Sequence, residues 1–143
     1  MRKLGTALLL GLLANLAQAG EIKVTQPWAK GILESSRTTM AYMELFSEEE
    51  AVIVAASSPL ASQVEMRDMQ ITFDGGPMRP VKVDSITLPA RKRVQLTPVS
   101  EHFVLQGLKQ AIKAGDKLPL ILSVRMKNGE TRELKLEVVT RGM

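Results

Sequence analysis

Two long alternating runs, residues 118–126 and 132–139, meet across Asn128-Gly129. Asn-Gly suits a tight turn whose central residues take positive φ, and between alternating apolar segments it is the strongest short hairpin signal. Such a hairpin has to bury one face. A period of two places Leu120, Leu122 and Val124 on it.

The same grammar recurs upstream. Residues 21–25 alternate and are expected to end at Pro27-Trp28, because proline cannot continue a central ladder. Residues 39–46 form a second strand with Met40 and Met43 on opposite faces, both read as core packing. Residues 51–56 are continuously apolar, as in a strand buried on both sides. Residues 63–66 alternate again, and 69–73 continue beyond a bend or bulge at Arg67-Asp68. Shorter runs follow at 78–81, 85–88, 93–96 and 102–105, with Gly107 closing the last. Residues 108–114 could make one helical turn. Short strands at close spacing, with one short helix at most, predict an all-β fold: an antiparallel Greek-key β-sandwich or barrel. At 143 residues, without repeats or a linker, the chain has room for one domain.

Residues 1–19 read as a secretory signal peptide. Arg2 and Lys3 precede a leucine-rich run, and Ala17-Gln18-Ala19 is a cleavage signal, with Gly20 starting a mature domain over 20–143. The apolar run is too short to span a bilayer. No cysteine follows it, so no lipid anchor is expected, and the compact signal predicts a periplasmic protein. Without Arg2 and Lys3 the net charge falls from +4 to +2. That is too weak and scattered for nucleic acid or a membrane surface. The Arg91-Lys92-Arg93 run reads as a solvated turn.

The chain has no cysteine and one histidine. A thiol nucleophile, a cysteine-rich zinc site and a blue-copper site are therefore excluded. No Gly-x-Ser-x-Gly elbow is present, so no enzyme is expected. What remains is soft chemistry in residues 62–108, which hold Met66, Met69, Met78 and the lone His102. Thioether and neutral imidazole together suit Cu(I) better than Mg, Ca or Mn. A turn at Asp74-Gly75-Gly76 would fold the methionine strands into a hairpin, with Met66 and Met78 across from one another or nearly so. The plainer alternative is that these methionines fill core gaps and that His102 is packed or on the surface.

A series of short segments carries a resemblance. In order these are Ile22-x-Val24 with Pro27-Trp28-Ala29, Ala41-Tyr42-Met43, Ser57-Ser58-Pro59-Leu60-Ala61 leading into Val64-Glu65-Met66, Met78-Arg79-Pro80-Val81, Leu88-Pro89-Ala90, and His102 before Gly107-Leu108-Lys109. Together they resemble the periplasmic copper chaperone family built on the PCu(A)C domain. The resemblance implies a cupredoxin-like β-sandwich that binds Cu(I) and passes it to a copper-accepting protein of cytochrome oxidase assembly. The family's motif is His or Met, ten residues, Met, about twenty-one residues, then His-x-Met. Met78 and His102 match it, with twenty-three residues between them. Arg67 stands at the first ligand position and Val104 at the last. Arginine stays protonated and has no lone pair to offer, and valine has no donor atom. Met66 or Met69 could replace the first ligand. On a regular strand Met69 shares the face of residue 67 and Met66 does not, so Met69 is preferred. The alternative is a metal-free member of the fold that serves as a protein-binding or assembly module.

Overall fold

Alternation becomes ten strands. In the computed structural model, which describes residues 21–32, 36–71 and 74–142, they are β1 (Ile22–Lys30), β2 (Thr38–Ser47), β3 (Ala51–Ser57), β4 (Gln63–Gln70), β5 (Arg79–Val83), β6 (Ile86–Leu88), β7 (Arg93–Leu96), β8 (His102–Gln106), β9 (Lys117–Met126) and β10 (Thr131–Arg141). The leader expected over 1–19 lies outside the described residues. Hydrogen bonds join the strands in the order β5-β4-β8-β2-β1-β10-β9-β3-β6, with β7 also paired to β2. The sheet curls until β3 meets β4 and β6 meets β2. This is the expected all-β architecture, nearly closed on itself. Neighbouring strands run antiparallel except β1 and β10, which are parallel.

The core fills the space inside the curl. Leu45, Ile53, Ile86, Leu120, Leu122 and Val124 are fully buried there. The β9–β10 hairpin forms where Asn-Gly places it: Gly129 has φ of 89°, and the Asn128 side-chain oxygen accepts from the Glu130 amide at 2.8 Å.

Four local expectations are corrected. β1 runs on through Pro27, because a bulge between Thr25 and Trp28, with Gln26 at φ of 49°, takes the proline out of the regular ladder. β3 is buried on alternate residues, with Ala51 and Ile53 inward, since only one of its faces meets the interior. β4 has no bend at Arg67-Asp68, and its register is unbroken against both β5 and β8. Residues 108–114 contain no helix. They form an extended strap held by backbone bonds such as Ile32 N–H to the Ile112 carbonyl, 2.9 Å, with Leu108 and Ile112 as buried anchors.

Candidate metal centre

β7 and β8 lie end to end along β2, one pairing with Met43 to Phe46 and the other with Thr38 to Ala41. Hydroxyl groups tie down the short loop between them. The Ser100 Oγ accepts from the Thr97 amide at 2.9 Å and donates to the Gln95 carbonyl at 3.0 Å. The loop thereby sets the Ser100 carbonyl 2.8 Å from His102 Nδ1. A carbonyl oxygen only accepts, so Nδ1 carries the hydrogen, and in the neutral ring the lone pair sits on Nε2. This is the arrangement that orients a metal-binding imidazole.

His102 is 2% exposed although it sits on the outer face of the sheet. Large neighbouring side chains cover that face. The Tyr42 ring lies 5.9 Å from the imidazole and the Trp28 ring 4.7 Å from Tyr42. The Arg141 guanidinium caps Trp28 at 4.6 Å. The Tyr42 hydroxyl donates to the Met40 thioether sulfur at 3.2 Å. Burial raises the Tyr42 pKa above its ordinary value, keeping that hydroxyl a donor.

Strand register places the rest, because directly opposed residues share a face. Arg67 is opposite His102, and Val104 lies between Glu65 on β4 and Met40 on β2. Three positions picked out by counting along the sequence, 67, 102 and 104, therefore do converge. Arg67 is not idle there: its Nε and Nη2 donate to one Glu65 oxygen at 3.0 and 2.9 Å. The pair offsets the cation beside the imidazole.

Met69 sits two residues beyond Arg67 on the unbroken β4, so it shares this face and is half-buried. Met66 points the other way, opposite Phe103 and into the core. Its cross-strand partner on β5 is Val83, not Met78. Met78 lies just outside β5 at the hairpin tip and is 41% exposed. It is four residues along from Lys82, the partner of Arg67, or about 13 Å of extended strand.

Among the described residues, no three His, Cys, Asp or Glu side chains gather where they could hold a metal. The Glu65 carboxylate on this face is engaged by Arg67 and the Tyr42 hydroxyl by Met40; the remaining donors are imidazole and thioether, which suit a soft monovalent ion better than a hard cation.

Residues 22–138 match the family described as "Putative lipoprotein LpqE-like". The chain belongs to the LpqE-like family. A relative in Leifsonia xyli subsp. xyli, "Putative lipoprotein Lxx21020", is 25% identical over 121 residues, covering 85% of this chain and 71% of its own. The solution structure of CuI-DR1885 from Deinococcus radiodurans is 31% identical, with a TM-score of 0.54, covering 82% of this chain and 78% of that one. The copper-bound PCuAC domain from PmoF2 matches with a TM-score of 0.68 at 21% identity, covering 87% of this chain and 95% of that domain. The expected resemblance to PCuAC domains is thus met in both fold and sequence. The word lipoprotein belongs to the relatives' names; this LpqE-like sequence carries no cysteine.

Met40, expected to pack in the core, instead lies partly buried on the outer face of this LpqE-like chain, against Tyr42. Its alternation with Tyr42 was visible. That this face would be a shared one depended on pairing with β8, far away in the sequence. A cleft of about 270 Å³, lined by Lys30, Gly31, Ile32, Thr38, Thr39 and Met40, opens beside that methionine.

Proposed function

We propose that this LpqE-like protein is a periplasmic carrier that binds Cu(I) through His102 and methionine sulfur and passes it on, toward cytochrome oxidase assembly. The observation that carries the reading is the buried imidazole with Nδ1 tied to Ser100 and thioethers on its own face. The copper-bound relatives support the choice of metal. Met69 is the hairpin sulfur on this face in this reading, Met78 at the exposed tip joins it only if the tip folds over the face, and Met66 is set aside because it faces the core. A few soft, exchangeable ligands suit a carrier, which has to give its metal up. Export follows from the leader, with cleavage after Ala19. Anaerobic Cu(I) titration of the chain starting at Gly20, with His102→Ala and Met78→Ala as controls, tests the reading. Stoichiometric binding that weakens in both variants supports it.

A second reading rests on the Arg67–Glu65 pair, which holds a guanidinium where the PCu(A)C pattern has a ligand. In that reading the fold has given up copper and serves as an assembly module. Absence of Cu(I) binding by the wild type, with binding by an Arg67→His, Val104→Met double variant, would establish it.

A further inference from the structure

We infer that Met40 is a copper ligand of this chain, supplying from β2 the sulfur that Val104 fails to supply from β8. The inference rests on the Cu(I) reading above and adds a residue that the His-x-Met pattern does not contain.

Three observations carry it. Met40 is directly opposite Val104, so its side chain rises from the neighbouring strand beside the place where a methionine at 104 would rise. Opposed residues have Cβ atoms roughly 5 Å apart, and a diagonal neighbour such as His102 lies at roughly 7–8 Å, within reach of a long flexible side chain. The sulfur is also held in place. Tyr42, the residue between Met40 and the imidazole on this face, donates its hydroxyl to the Met40 Sδ at 3.2 Å while its ring lies against His102. A thioether has two lone pairs, so one can accept from Tyr42 while the other faces a metal. Finally, Met40 is only partly buried and lines a cleft of about 270 Å³, so its side chain is not locked in the core. Met66, by contrast, is buried in the core among aliphatic side chains.

The test uses Cu(I) alone as probe on the mature protein, with methionine methyl groups labelled with carbon-13. Met40→Leu keeps the bulk and identifies the Met40 methyl signal. On adding Cu(I) the Met40 methyl should shift in wild type, and Met40→Leu should lower the affinity at least about tenfold, as loss of a direct ligand requires. Tyr42→Phe should weaken binding less, because it removes only the hydroxyl that holds the sulfur. If wild type binds Cu(I) while the Met40 methyl stays still and Met40→Leu binds as well as wild type, the inference is overturned and the carrier reading stands. If wild type does not bind Cu(I), both fall. If Met40→Leu does not fold, the Met40 methyl is assigned through its proximity to Tyr42, and its shift in wild type decides alone.

Discussion

The β9–β10 hairpin and the β4–β8–β2 face obey the same alternating grammar but use their second face differently. On the hairpin the inward residues Leu120, Leu122 and Val124 are fully buried, while the outward ones meet water. Lys117 and Glu137 pair there at 3.4 Å with both side chains mostly exposed. On β8 four successive residues, His102 to Leu105, are all buried. Phe103 and Leu105 enter the core, whereas His102 and Val104 are covered on the far side by long side chains from β2 and β4. A covered outer face with no second sheet upon it among the described residues does not follow from the need for a core. It isolates one imidazole and holds it in a fixed orientation.

The largest expected effect would break the hairpin side of this contrast. Leu122→Ala empties a fully buried site and should cost about 2–5 kcal/mol in urea unfolding. Cu(I) affinity of the folded fraction should remain unchanged. Next comes His102→Ala, which should reverse the pattern, with at least a roughly tenfold loss of Cu(I) affinity read by competition titration. Arg67→His with Val104→Met should move the same titration in the other direction, since it adds two donors to the row that already holds His102. A double variant binding no better than wild type would mean that the row does not form the site.

The smallest effect is electrostatic. Burial raises the Glu101 carboxyl above its ordinary value, and the nearby Asp68 charge adds to this. The folded state thus holds that proton more tightly than the unfolded chain does. Stability from this group is present at low pH and is lost as pH rises above the ordinary carboxylate value through the raised one. In metal-free protein, the urea midpoint of wild type relative to Glu101→Gln should therefore fall as pH rises above the ordinary carboxylate range. A constant difference over that rise would refute the assignment.

What the sequence made legible follows the range of the interactions. The Asn128-Gly129 hairpin depends on neighbours in the chain, so its turn and its inward face could be read directly. Arg67, His102 and Val104 could be read by counting, and the strand register places them together. The bulge at Gln26 could not be read, because proline is excluded from a regular strand and only the pairing of β1 with β2 shows the irregularity. The burial of His102 and the placement of Met40 on the same outer face were equally hidden. Both depend on which strands flank β8, and that is decided by closure of the whole sheet.

The parallel contact of β1 with β10, Trp28 beside Val139 and Lys30 beside Arg141, has a kinetic consequence. It joins the first strand to the last, among the longest loop closures the chain can make. Closures of that kind are slow, because the entropy of the intervening chain is lost before the contact forms. The sheet order cannot be completed until residues 131–141 are available. Until then β1 has a free edge beside β2, and Trp28 lacks its Arg141 cap. A chain emerging from a ribosome or a translocon would stay incompletely folded until residues 131–141 have emerged, which favours transport before folding over folding before transport.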